Sequence, residues 1–213
     1  MESTRVTPVR VTSRQAKADD TRRDLLSAAA SLFVKQGYHL TSVEQIARQA
    51  GVAKGTFFLH FPTKGAVVTA MVQIQMDHVR REHDRLAAEG APPLARLRAT
   101  VMALGKLSNL NLARAVLIAG LDNADVGAEI DLRYHGALDL MIEDARAAVR
   151  SRDLARGTDP EALALVFMNS FLGAAVSYAT NPRGRTLAAM LASMLDMSLP
   201  AFAPGKSRKG GAS

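Results

Sequence analysis

The side chains best suited to contact a polyanion follow a short glycine turn, where Lys54, Thr56, Phe58 and His60 stand within residues 41–64. A lysine ammonium can hydrogen-bond guanine or a phosphate oxygen, and a threonine can meet either a base edge or a thymine methyl. These residue types therefore suit contact with double-stranded DNA, provided that local structure holds them on one exposed helix.

Two short helices joined by a tight turn would position these side chains. Thr41 and Glu44 form a T-x-x-E capping box that begins one helix, and Gly51 ends it in a turn that favours positive φ. A third helix is predicted from about 53 to 59. Ile46 and Ala47 would face Val52 and Phe57, and this packing leaves the polar side chains free. The pattern predicts a helix-turn-helix, whose second helix enters the major groove.

The rest of the chain also has helical periodicity, so we predict an all-α fold of about nine helices. The first helix is predicted from about 20 to 36, with Asp19, Asp20 and Thr21 as its cap, and Thr63 caps a fourth that reaches about Glu89. Later helices are predicted at roughly 94–107, 110–121, 127–152, 160–180 and 184–198.

Composition narrows the possible functions. The 213 residues contain no cysteine, which excludes a disulfide scaffold, a thiolate metal site and a cysteine nucleophile. The net charge of 27 − 20 = +7 comes mainly from the two ends, since residues 1–18 and 205–213 contribute +3 each. We expect flexible basic segments at 1–18 and 201–213. The first could contact DNA or simply be solvated, and the second resembles a linker.

Residues 20–68 resemble the DNA-binding domain of the TetR family of bacterial repressors. The resemblance rests on AAASLF and Gly37-Tyr38 in the first helix and its turn, TSVEQIA, AGVAKGT, His60-Phe61 and Lys64. It implies a helix-turn-helix domain at 19–68 and a helical ligand-binding and dimerisation domain at 69–200.

The resemblance also implies roles for individual residues. Thr41 and Ser42 would bind a phosphate, Lys54, Gly55 and Thr56 would lie in the major groove, and His60 and Lys64 would hold flanking phosphates. His60 could instead be a structural hydrogen-bond donor. Phe58 replaces the family's usual tyrosine and retains only apolar contact, and Gly65 replaces an acidic residue, which would weaken the cap of the fourth helix.

The second domain offers a dimer surface and an effector cavity. Residues 162–179 carry no charge and could span a membrane, but Asn169, Ser170, Ser177 and the apolar helix that follows favour a buried helix pair in a two-fold dimer. Any cavity would lie among the middle helices and would suit an apolar or aromatic molecule. Its candidate lining residues, each of which could equally be structural, are His78, Met102, Asn109, Asn111, Arg114, Tyr134, His135, Phe167, Asn169 and Phe171.

Together these features predict a cytoplasmic homodimeric transcriptional regulator. The family resemblance implies a repressor rather than an activator, which a small-molecule effector releases from a palindromic operator. His78 and His83 are five residues apart and no nucleotide-binding or nucleophile motif is present, so we expect neither an enzyme nor a metal or cofactor site. The alternative is a small-molecule-binding dimer without sequence-specific DNA binding, which the departures at Phe58 and Gly65 would favour. The effector and the operator are not predicted.

Overall fold

The computed structural model describes residues 13–106, 110–181 and 184–204. These residues form nine α-helices and no strand, which confirms the all-α prediction. The helices are α1 (Ser13–Gln36), α2 (Val43–Gln49), α3 (Lys54–His60), α4 (Lys64–Ala88), α5 (Pro93–Leu104), α6 (Leu110–Asp122), α7 (Ala124–Ser151), α8 (Pro160–Thr180) and α9 (Leu187–Ser198), followed by a 3₁₀ turn, Leu199–Phe202.

Helices α1 to α3 pack around one part of the hydrophobic core. Leu25, Phe33, Ile46, Phe57 and Phe61 are almost fully buried there. Because these side chains come from all three helices, the core fixes the angle at which α2 and α3 meet the rest of the protein.

The C-terminal helices pack around α7, which runs beside α4 in the same direction. Gly65 approaches Val126 near the start of both helices, and His83 contacts Asp144 much further along them. Helix α5 packs on both α4 and α7, and α6 and α8 cover another side of α7. Helix α4 therefore belongs to the larger domain while its first turn adjoins α3.

A polar cluster joins three of these helices inside the protein. The carboxylate of Asp144 is fully buried and accepts hydrogen bonds from Arg96 Nε at 2.8 Å, and His83 Nε2 lies 3.0 Å from its other oxygen. Arg96 also donates to the carbonyl of Ala91 at 2.9 Å. Buried charges need such partners, so the cluster ties α4, α5 and α7 together.

The predicted limits of the two end segments were wrong. Helix α1 begins at Ser13 rather than near residue 20. Within this continuous helix, Thr21 Oγ1 donates to the carbonyl of Lys17 at 2.9 Å and Gln15 Nε2 donates to Asp19 Oδ1 at 3.2 Å. At the other end, the carbonyl of Phe202 accepts a hydrogen bond from the backbone of Ala155 at 2.8 Å, so 201–204 are held. Residues 1–12 and 205–213 lie outside the described residues.

Helix α8 alone, within the described chain, is long and apolar enough to cross a membrane. Leu163, Phe167 and Phe171 bury one of its sides against the protein core. The opposite side exposes the apolar residues Leu165, Val166, Leu172 and Val176. Helix α8 is thus a core helix of the protomer with one apolar side left uncovered.

Candidate nucleic-acid interface and ligand cavity

The capping box of α2 is formed by Ser42 and Gln45, not by Thr41 and Glu44 as predicted. Ser42 Oγ accepts from the Gln45 backbone N–H at 3.2 Å, and Gln45 Oε1 accepts from the Ser42 N–H at 2.8 Å. Thr41 is buried, and its hydroxyl donates to the carbonyl of Gly37 at 2.7 Å. Ser42 is therefore exposed where a phosphate could approach the helix, whereas Thr41 stabilises the turn before it.

The turn between α2 and α3 follows the helix-turn-helix plan. Gly51 has φ +72°, a left-handed conformation that favours glycine, and the Val52 N–H bonds the carbonyl of Ala47 at 2.9 Å. Helix α3 then begins at Lys54 and buries only Phe57. The sharp turn thus presents the other side chains of α3 outward.

The exposed side of α3 contains most of the predicted base-contacting residues. Lys54, Gly55 and Phe58 are exposed, and Thr56 is half-buried. Leu59, which sequence reasoning did not select, is 84% exposed and adds an apolar group to this surface. A leucine carries no hydrogen-bonding signal, so only its exposure in the fold marks it.

An ion pair crosses this surface between α2 and α3. Lys54 Nζ contacts the Glu44 carboxylate, and both side chains are more than half exposed. The hydrogen bond from Lys54, with backbone and Ser42 hydrogen bonds, lowers the pKa of Glu44 to about 2. Glu44 is therefore a carboxylate at neutral pH on an otherwise cationic surface.

Lys64, which is predicted to contact a phosphate, is half-buried and has partners within the protein. Its Nζ donates to the carbonyls of Tyr38 at 2.7 Å and Thr41 at 2.9 Å, and it lies 4.1 Å from the centre of the Tyr38 ring. Burial lowers the pKa of Lys64, although Asp122 opposes this shift. Its ammonium thus joins the start of α4 to the turn before α2.

His60 lies half-buried at the end of α3, beside the junction with α4. Its backbone carbonyl accepts from Arg22 Nη1 at 3.0 Å, and the Arg22 guanidinium stacks 4.2 Å from the centre of the Phe61 ring. Of the four predicted phosphate contacts, Thr41 is buried, whereas Ser42, His60 and Lys64 each keep exposed surface.

Gly65 is a packing residue at the junction of the two domains. A Cβ at this position would lie 2.7 Å from Val126 Cγ2. The predicted Thr63 cap of α4 is confirmed, because Thr63 Oγ1 accepts from the Ala66 N–H at 3.0 Å, although the first turn of α4 has no acidic residue. Close contact with α7 explains the glycine, so its presence gives no support to a loss of DNA binding.

We expect Gly65→Ala to destabilise the protein by about 1–3 kcal/mol, because the added methyl overlaps Val126. In a Val126→Ala background the overlap disappears, and the same change should stabilise α4 through its better helix propensity. Chemical denaturation of the four proteins of this cycle measures the effect. Destabilisation of equal size in both backgrounds would contradict the assigned overlap.

A cavity of about 260 Å³ lies between α6, α7 and α8. Tyr134 and Phe171 meet on its wall with ring centres 5.4 Å apart. Burial raises the pKa of Tyr134, and its hydroxyl has no hydrogen-bond partner among the described residues. Asp131 is the single charged residue of the lining, which otherwise consists of Ala113, Val116, Leu117, Gly120, Leu121, Gly127, Ile130, Leu172, Ala175 and Val176.

The turn between α6 and α7 connects this cavity to the helix-turn-helix domain. Gly120 and Gly127 line the cavity and approach so closely that a Cβ on Gly127 would lie 2.7 Å from the Gly120 carbonyl oxygen. Asp122, the last residue of α6, lies 3.7 Å from His39 Nδ1, and Val126, in the first turn of α7, abuts Gly65. A molecule that separates α6 from α7 would therefore displace these contacts.

Known proteins resemble this chain both in its N-terminal region and in its whole fold. Residues 25–71 match the family model of the TetR-type bacterial regulatory proteins. The whole fold is similar to SmeT, the repressor of the Stenotrophomonas maltophilia multidrug efflux pump SmeDEF, with a TM-score of 0.68 and 27% identity over 88% of this chain and 96% of that one. This chain belongs to the TetR family.

Other relatives resemble this TetR-family chain to different extents. Thermus thermophilus FadR, a repressor solved with lauroyl-CoA, has a TM-score of 0.66 and 25% identity over 90% of this chain and all of that one. The A-factor receptor protein of Streptomyces griseus is 36% identical over 38% of this chain, and TcmR of Streptomyces glaucescens 48% over 30%. These two alignments span only 27% and 29% of the relatives' lengths.

Two of the ten predicted ligand residues of this TetR-family chain, Tyr134 and Phe171, line the cavity. Asn109 lies outside the described residues. Phe167 is buried in the core and Met102 is half-buried there, while His78 and Asn169 are exposed.

The other three predicted ligand residues have structural partners. Asn111 donates to the carbonyl of Val34, Arg114 Nε donates to the carbonyl of Ala179 at 2.6 Å, and His135 pairs with Asp131 at 3.7 Å. Periodicity alone did not find Gly120, Gly127 or Val116, because small and aliphatic lining residues resemble any core position.

Proposed function

We propose that this protein is a dimeric transcriptional repressor that an apolar small molecule releases from a palindromic DNA operator. The observation that carries the proposal is the outward presentation of Lys54, Gly55 and Thr56 at the start of α3. In a helix-turn-helix these positions meet base edges in the major groove. The family membership supports this function over a dimer that senses a ligand without binding DNA.

The uncovered side of α8 supports dimerisation. Leu165, Val166, Leu172 and Val176 are between 40% and 51% exposed, and Met197 on α9 is 78% exposed. A second copy of the chain, related by a two-fold axis, would cover these apolar groups and place two α3 helices on one face of a duplex. The operator is therefore expected to be a palindrome with half-sites about one turn apart.

The cavity favours an uncharged apolar or aromatic effector. Among the residues that the structure describes, its lining has no lysine or arginine to neutralise phosphates, and Asp131 would repel an anion. The Tyr134 hydroxyl, which has no partner among the described residues, could hydrogen-bond one polar atom of the effector. This lining therefore differs from one that would bind a long-chain acyl-CoA, whose phosphate groups require cationic partners.

Release of the operator would follow from the contacts made where the end of α6 meets the start of α7. An effector that binds better when α6 and α7 are apart favours a state in which Val126 and Asp122 shift against Gly65 and His39. Helix α4 would then swing the two α3 helices away from the half-site spacing. The affinities of the protein for the operator and for the effector would then be coupled reciprocally. Such a regulator acts by binding in the cytoplasm, without catalysis or a cofactor.

Selection of bound duplexes from genomic fragments tests DNA recognition directly. We expect an enriched palindrome, and affinity for it should fall steeply as salt rises because phosphate contacts release counterions. A protein that enriches no sequence and binds no duplex at low salt would overturn the proposal. Genes beside the selected site would then guide the choice of candidate effectors.

The cavity can be tested before its effector is known. Ala175→Trp should reduce the binding of the neutral apolar fluorophore N-phenyl-1-naphthylamine at least about tenfold, because an indole would occupy a site of this size. Glu143→Trp, at an exposed position of α7, is the control and should retain wild-type binding. Equal probe affinity for both variants would show that the probe does not bind in this cavity.

A further inference from the structure

Glu44 is the one acidic residue between residues 41 and 64, and it lies on the proposed DNA-binding surface. It occupies the first turn of α2, two residues after Ser42, and its carboxylate contacts Lys54 at the start of α3. A carboxylate at this place repels the phosphates that a DNA-binding surface must approach. Its position therefore needs a reason beyond attraction to DNA.

Stability of the fold supplies only part of that reason, which is the attraction between a first-turn carboxylate and the positive end of the α2 dipole. Both side chains of the pair are more than half exposed, and ion pairs of this kind add little to folding stability. The α2 N-terminus already has its own cap in Ser42 and Gln45. The consequence of the pair is best sought in what it does to Lys54.

The pair leaves Lys54 able to bind a guanine but restricts its binding to phosphate. An ammonium has three N–H donors, so one donor to Glu44 leaves two for the O6 and N7 atoms of a guanine. Those acceptors are uncharged, so the carboxylate does not repel them as it repels a phosphate. A lysine without such a partner would bind any nearby phosphate regardless of sequence.

From this geometry, and resting on the proposed function, we infer that Glu44 is a specificity-determining residue. It holds Lys54 at the base edges and penalises complexes in which the ammonium moves to a phosphate. Glu44 thus lowers affinity for non-specific DNA more than affinity for the operator, which is specificity gained by disfavouring the wrong partner.

The test compares wild-type protein and Glu44→Gln, as full-length dimers, on the selected operator and on a scrambled duplex of the same composition and length. At fixed salt, we expect the ratio of operator to scrambled affinity to fall at least about fivefold, mainly because scrambled DNA binds more tightly. In a Lys54→Ala background the same substitution should leave the ratio within about twofold, since the restrained ammonium is absent.

Glu89→Gln is the matched control, because Glu89 is 56% exposed against 54% for Glu44 and is also paired with a cation, Arg85, on α4. It removes the same charge away from α2 and α3 and should leave the ratio unchanged. If Glu44→Gln strengthens binding to both duplexes equally, the loss of a negative charge explains the whole effect and the inference is overturned. A wild-type protein that binds both duplexes equally would instead overturn the proposed repressor function.

Discussion

Lys54→Ala combined with Thr56→Ala should lower operator affinity at least about 100-fold at fixed salt. Specific base contacts contribute about 1–3 kcal/mol each, and a two-fold dimer loses them at both half-sites. Both residues lie at the start of α3, where Phe57 anchors the helix in the core while its other side faces outward. Fluorescence anisotropy with a labelled operator measures the loss.

The control for this prediction is Lys35→Ala, which removes an equal charge from an exposed position at the end of α1. This variant should lower the affinity for the operator and for a scrambled duplex by similar small factors. The double variant should instead lose most of its preference for the operator. Retention of that preference would show that α3 does not read the bases through Lys54 and Thr56.

Asp144→Ala should lower the free energy of unfolding by about 3–5 kcal/mol, the usual cost of removing one member of a buried ion pair. The substitution leaves the largely buried guanidinium of Arg96 and the ring of His83 without their shared acceptor. It also unties α4, α5 and α7 at one point. Guanidinium denaturation at fixed protomer concentration measures the change, because dimerisation contributes to stability.

Asp139→Ala, at an exposed position on the same helix, is the reference for this measurement. It should change the unfolding free energy by no more than about 0.5 kcal/mol, as surface substitutions usually do. If the two variants are equally stable, the cluster around Asp144 does not hold the helices together. Asp144→Asn should fall between them, since the amide keeps part of the hydrogen bonding.

Local features of the sequence predicted most of the helices and the location of the helix-turn-helix. The helical periodicity, Gly51 at the turn and Thr63 before α4 each act on neighbours a few residues away. Helix boundaries depend on the same short-range hydrogen bonds, so α3, α4 and α8 were predicted within about two residues. The capping box was misplaced by one residue, because Thr41 finds its partner in the preceding turn.

Contacts between residues distant in the chain were beyond such reasoning. Lys64 carries the charge of a phosphate contact, but the carbonyls of Tyr38 and Thr41 capture its ammonium across the domain. Gly65 looked like a lost cap until its contact with Val126, about sixty positions away, explained it. Periodicity describes one helix at a time, so it does not identify partners that lie on other helices or turns.

Residue types and short spacings thus established an all-helical protein with a helix-turn-helix and a basic N-terminal region, since these properties arise within single helices and turns. Packing between helices buried Thr41, gave Lys64 two backbone carbonyls as partners, placed Glu44 against Lys54, and formed the cavity beside Gly120 and Gly127. The physical reason is that burial and ion pairing depend on which surfaces meet in space, and those meetings join residues far apart in the chain.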